Sequence, residues 1–264
     1  MRALFLFIYL FSFFSLSAGK ERIHIYDATK AASDKEAILI LPGFGSRSHG
    51  TKAQADFFFK KGYDVFIPDY IARNSINDCV INLDKFISKY KLRDYKKIHV
   101  FSYIVGSWTL NQWLIQNPKN NITSIVYDRS PLQERAPYAL VKDFPCIIKI
   151  LAGNIMKEFS KTPYPPITKQ KISVGIMIES KATKLIRKHK KTALSLGPVN
   201  WEVAALDQEH DDFLYTWLDH DDMYTRFDVS GKEILHFFAN GKFTNEAKRT
   251  VYTEDPFIPY TDKK

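Results

Sequence analysis

Two hydrophobic periods take turns along this chain. Short runs that are apolar on both faces, such as Ala37-Ile38-Leu39-Ile40-Leu41 and Tyr63-Asp64-Val65-Phe66-Ile67, are of strand length and end on Pro, Gly or Asp. Strands of that composition are buried between helix layers. Between them stand stretches with helical spacing. Thr51 to Lys61 carries Phe57, Phe58 and Phe59 and stops at Gly62. A second helix begins at Ser75, with Asp78 three residues on as a capping pair and Ile76, Val80, Leu83, Phe86 and Ile87 as its apolar stripe. Further strands are expected at Glu21 to Tyr26, Ile98 to Phe101, Ile122 to Tyr127, Val174 to Ile178 and Trp201 to Leu206. Helices are expected from Ser107 to Gln116 and from Lys232 to Asn240, the latter closed by Gly241. Strands alternating with helices predict an α/β fold: a mostly parallel central sheet with helices on both faces. In such sheets, sites form beyond the carboxyl ends of the strands.

The pattern breaks at the start of the chain and again in its middle. Ala3 to Leu16 is almost wholly apolar, is preceded by Arg2, and is followed by the small residues Ser17-Ala18-Gly19. The run is shorter than the roughly 20 residues a spanning helix needs, so residues 1–19 are expected to be a signal peptide, or an anchor if left uncleaved. Residues 20–264 then form one domain, exported to a secreted or periplasmic location. Within it, 132–170 forms a small cap insertion that ends near the stiff Tyr164-Pro165-Pro166.

Composition narrows the class. Aromatic residues make up 14% of 264 residues, with 20 Phe and 14 Tyr, which excludes a disordered chain. Two cysteines, Cys79 and Cys146, allow one disulfide or two free thiols. The net charge is +9, and Lys181, Lys184, Lys188 and Lys191 would share one face of a helix over 181–191. That face is either solvated or a patch for an anionic surface. No nucleic-acid motif accompanies it, and no cofactor motif or dedicated metal-binding pattern is present. The two His-Asp-Asp triplets, at His210 and His220, would need one loop to fold them together before they could hold a cation.

The chemistry concentrates where Lys97 to Phe101 passes into Ser102-Tyr103-Ile104-Val105-Gly106. A buried strand, a sharp turn and a helix start form the setting of the nucleophile elbow G-x-S-x-G. Laid on that pattern without gaps, Gly106 takes the last glycine, Ser102 the first, and Ile104 the nucleophile's place. An isoleucine has no hydroxyl to attack with. From Ala37 to Pro131 the order of elements, the Pro42-Gly43-Phe44-Gly45 loop, the Gly62-to-Asp69 segment and the elbow together resemble the α/β-hydrolase superfamily. The resemblance implies a Ser, Asp/Glu, His order of catalytic residues and an oxyanion hole built from backbone N–H groups of the first loop and of the residue after the nucleophile, here Phe44 and Val105, with Gly43 shaping the turn.

Each role can be placed on the sequence. The nucleophile position is degenerate. Ser102 is either a displaced nucleophile or a small packing residue. The acid expected after Val174 to Ile178 falls near Ala182, with Glu179 or Asp207 as substitutes. The histidine is His220, before the terminal helix, or His210, after the strand expected at 201–206. Arg129, in the polar exit Asp128-Arg129-Ser130-Pro131, either clamps an anionic ligand or is paired with Asp128, Glu134 or Asp69. Two functions fit: a hydrolase-fold protein without the chemistry, binding a small molecule, lipid or protein at the old site, or an esterase- or lipase-like hydrolase with a rewired set.

Overall fold

The computed structural model describes residues 21–44, 48–168 and 171–259. The expected signal peptide, together with Gly45 and Ser46, lies outside the described residues. Seven strands form one sheet: β1 (Arg22–His24), β2 (Glu36–Leu41), β3 (Asp64–Ile67), β4 (Lys97–Ser102), β5 (Ile122–Arg129), β6 (Ser173–Glu179) and β7 (Asp212–Thr216). They lie in the order β1-β3-β2-β4-β5-β6-β7, with only β1 antiparallel to its neighbour. The helices between them are α1 (Ser48–Phe59), α2 (Ile76–Lys89), α3 (Ile104–Gln116), α4 (Ala136–Asp143), α5 (Pro145–Ala152), α6 (Ile155–Phe159), α7 (Lys184–Lys188), α8 (Lys190–Leu194), α9 (His220–Thr225) and α10 (Phe227–Asn240).

Alternate side chains of each strand go to opposite faces, and this divides the core. Ala37, Leu39 and Leu41 join Ile98, Val100, Ile125 and Tyr127 beneath α2 and α3. Ile38, Ile40, Phe101, Val126 and Met177 face the other way, against α1, α9 and α10. The α4–α6 insertion does not float above this body: Leu140, Ile148, Ile155 and Phe159 are part of the same apolar cluster as α2 and α3. Ser75 caps α2 as expected, its Oγ accepting the Asp78 N–H at 3.0 Å. Gly241 closes α10 in left-handed backbone, φ 67°.

One element departs from expectation. Residues 201–206 are not a strand: Val203–Leu206 forms a 3-10 turn, and the last strand, β7, starts later in the chain, at Asp212. The Trp-Glu-Val-Ala-Ala-Leu segment alternates weakly and has no free sheet edge to join, because Phe213-Leu214-Tyr215 pairs with β6 instead. Two smaller readings are decided as well, the cysteines as free thiols and the lysine stripe against expectation. Cys79 is buried, Cys146 is exposed, and they are not bonded to each other. The 181–191 segment is not one helix: Lys181 is buried with its Nζ donating to the Asp255 carbonyl, and α7 and α8 break at His189, so the four lysines do not form a single stripe.

Candidate functional site

At the carboxyl edge, β4 hands over to α3 through one residue. That residue is Tyr103, in extended backbone (φ −76°, ψ 169°), with its N–H on the Leu41 carbonyl at 3.0 Å and its own carbonyl accepting the first helical bond, from Ser107. Ile104 therefore does not stand at the apex, as the gapless pattern predicts. It opens α3 and its side chain is buried in the α2–α3 core. The reason is strand alternation carried one step past the strand end: Phe101 and Tyr103 go to the α9–α10 face, and the apolar Ile104 is taken into the opposite core. The residue after the turn is consequently Ile104, and Val105, expected as an oxyanion donor, sits inside the first turn of α3.

Tyr103 does not reach for solvent. Its ring stacks on Tyr224 of α9 with centroids 3.9 Å apart and planes 11° off parallel. Its hydroxyl accepts from Gln54 Nε2 at 2.6 Å and donates to the Met223 carbonyl at 3.1 Å. The Tyr224 hydroxyl accepts the Gly43 N–H at 2.6 Å. Thus an amide of the Pro42-Gly43-Phe44 loop is already given to a hydroxyl of the protein itself. Phe44 leans edge-on against Phe159 of α6, with centroids 6.0 Å apart. Burial lifts both tyrosine hydroxyls well above the ordinary phenol range. Ser102 is fully buried beneath α3, its Oγ donating to the Tyr103 carbonyl at 3.3 Å.

The histidine and an acid do come together. With β7 at 212–216, His210 precedes the last strand, its Nδ1 2.9 Å from the Gln208 carbonyl, and only His220 lies between that strand and α10. Asp219 caps α9 by accepting the N–H groups of Asp221 and Asp222, which fixes His220 as the first residue of the helix. His220 Nδ1 is 2.7 Å from Glu179 Oε1, at the end of β6, and 3.6 Å from Asp128 Oδ2, next to the end of β5. The ring stands edge-on to both Tyr103 and Tyr224. Glu179 and Asp128 are both 0% exposed. Burial and the neighbouring Asp128 hold Glu179 well above the carboxylate range. Burial works against a charged His220, yet Glu179 and Asp128 raise it well above the ordinary imidazole value. Burial also lifts the cap Asp219, to about 6.

Asp207, the other acid considered, is exposed in left-handed backbone (φ 51°) after the 3-10 turn, and the carboxylates beside His220 are Glu179 and Asp128. Arg129 is not an open clamp. Its guanidinium is buried, bonded to Glu134 at 2.6 and 3.2 Å and to the Leu206 carbonyl at 3.2 Å, and covered by the Tyr164 ring at 3.9 Å. Of the alternatives open to it, pairing with Glu134 is the one realised. Sequence reasoning missed Tyr103, Tyr224 and Asp128 as site residues. The signals that could have found them are the one-residue shift of the elbow and the polar penultimate position of β5, which continues the Val126 face.

The sequence matches no protein-family model, and no curated protein matches it. Solved structures do. The bromoperoxidase from Bacillus anthracis is 9% identical, covers 83% of this chain and 95% of its own, and superposes with a TM-score of 0.53. The epoxide hydrolase of Bacillus megaterium is 10% identical over 83% of this chain and 97% of its own, also with a TM-score of 0.53. At such identities the likeness speaks for architecture alone. With the strand order, the carboxyl-edge turn and the late histidine, it shows that this chain has the α/β-hydrolase fold.

Proposed function

We propose that this protein is an exported α/β-hydrolase-fold protein that has lost serine-hydrolase chemistry and binds a small molecule, lipid or protein at the edge where the active site would stand. One observation carries the reading: the residue at the turn is Tyr103, whose ring is stacked on Tyr224 and whose hydroxyl is held by Gln54 and the Met223 carbonyl, so the side chain at the nucleophile's place is packed and bonded rather than open to a substrate. The protonation bias of the histidine supports it as well. Glu179 and Asp128 raise His220 above the ordinary imidazole value, a direction that favours the charged ring over the neutral base a triad uses. The apolar leader at 3–16 supports export.

A second reading rests on a different observation. The Glu179–His220 contact at 2.7 Å keeps the acid–base half of a triad, and a rewired hydrolase would use it with Ser102. Esterase assays on short p-nitrophenyl esters and labelling by a fluorophosphonate probe separate the two. On the binding reading, residues 20–264 are inert to both, and Ser102→Ala and His220→Gln change neither result. Turnover that disappears in both variants would establish the rewired hydrolase and end the first reading.

A further inference from the structure

The Asp128–Glu179–His220 trio is over-supplied with acceptors. Three donor atoms, one from each residue, lie within 4.8 Å of one another, and all three residues are buried. His220 satisfies only Glu179 Oε1. Both Asp128 oxygens and Glu179 Oε2 are buried with no hydrogen-bond donor. Buried carboxylate oxygens are normally bonded or bound to a metal, since leaving them bare in an apolar interior is costly. Here the wall is Tyr103 and Tyr224, whose hydroxyls are engaged elsewhere.

We infer that this trio is a binding site for one divalent transition cation, with Asp128, Glu179 and His220 Nδ1 as ligands. The donor set is right: one imidazole nitrogen and two carboxylates suit zinc and its neighbours, and two negative charges balance a divalent ion. The spacing is close to right. Bonds of about 2.1 Å arranged tetrahedrally place ligand atoms about 3.4 Å apart. The Asp128–His220 separation is already 3.6 Å, and the 2.7 Å Glu179–His220 contact opens by a rotation of the Glu179 carboxylate as the ion replaces the proton between them. The three ligands come from two strand ends and the first residue of α9, so the ion would tie α9 to the sheet. His220 is the least buried of the three, at 7% exposure, and marks the side of entry. With three protein ligands, the fourth position of a tetrahedral ion would fall to water or an outside donor. The inference does not depend on whether the protein hydrolyses anything.

The test is metal content and a spectrum. The purified protein is stripped with a chelator, equilibrated with Zn²⁺ or with Co²⁺, and desalted. The expected result is about one ion per chain, a rise in the unfolding temperature reversed by chelator, and an intense visible Co²⁺ band of a low-coordinate site. Asp128→Asn and Glu179→Gln, which keep size and shape, lose the ion and the band, while His210→Gln keeps both. Folding of each variant is checked by circular dichroism. If Zn²⁺ neither stays with the folded parent nor shifts its unfolding, the proposal is overturned and the trio is a proton-sharing cluster only. Retention of the ion by a folded Asp128→Asn variant overturns it equally.

Discussion

Gly106 has no room for a side chain. A Cβ there would stand 2.7 Å from Ser102 Oγ and 2.8 Å from both Cβ and the carbonyl oxygen of Leu41. A hydroxyl can rotate away, but the Leu41 carbonyl is fixed by the sheet. In an ordinary helix Gly→Ala stabilises by roughly 1 kcal/mol. Here Gly106→Ala is expected to reverse that sign and destabilise by about 1–3 kcal/mol, because α3 must lift off the strands. Urea unfolding reads the sign directly, and a stabilised variant would mean that α3 is not pressed against β2 and β4. Adding Ser102→Ala should recover only part of the loss. A second residue-scale expectation concerns Arg129. It is held above its ordinary value despite burial, chiefly by the charge of Glu134. Removing one partner of a buried pair costs about 3–5 kcal/mol, so Glu134→Gln should destabilise on that scale. Arg129→Met with Glu134→Gln should cost less than the two single changes added, since no buried charge is then left over. An additive double variant would show that the pair is not coupled.

The elements divide by how much of their definition is local. Ser75→Ala should remove one hydrogen bond and cost about 1 kcal/mol, with helix content otherwise unchanged; a change of under a few tenths would mean that packing alone sets where α2 starts. That cap, the strands β2, β3, β4, β5 and β6, and the C-cap Gly241 were legible in the sequence because apolar runs, capping pairs and glycine stops act over a few residues. β7 was not. Asp212-Phe213-Leu214-Tyr215-Thr216 starts on the last residue of one His-Asp-Asp triplet and stops short of the next, a stretch that reads as loop, and it becomes a strand because β6 offers an edge, which is a tertiary fact. The site followed the same division. The edge on which it forms, and the candidates Glu179 and His220, could be read from strand ends. Their meeting at 2.7 Å with Asp128 alongside could not, because it depends on which face each strand end presents and on where Asp219 starts α9. The shift from Ile104 to Tyr103 was unreadable for a similar reason: only the partner Tyr224, 121 positions on, makes a tyrosine at the turn favourable.

At the scale of the molecule, the sheet has an outer strand at each end, and the β7 end is covered by the chain after α10. The Tyr215 N–H donates to the Lys248 carbonyl at 2.7 Å, and Arg249 grips Asp212 through Nε at 3.0 Å and Nη2 at 2.7 Å. Farther along, Val251 and Tyr252 pack on the apolar cluster of Ile176, Ile178 and Tyr215, and the Pro256 carbonyl accepts the Ala182 N–H at 2.9 Å. Bare strand edges recruit other strands, and proteins cover them for that reason. A chain ending at Gly241 should therefore keep the sheet, yet lose stability, in part because the buried Phe243 leaves the α9–α10 cluster, and associate through β7. Size-exclusion chromatography and thioflavin binding, measured over a range of concentrations, should show oligomers for the truncated chain under conditions where the full domain does not form them. Arg249→Ala is the finer version: it should loosen the segment without removing the Lys248 contact, giving faster amide exchange at Tyr215 with no oligomer. A truncated chain that neither associates nor loses stability would mean that the 242–259 segment lies on the edge without protecting it, and that β7 is shielded by its own twist and shortness instead.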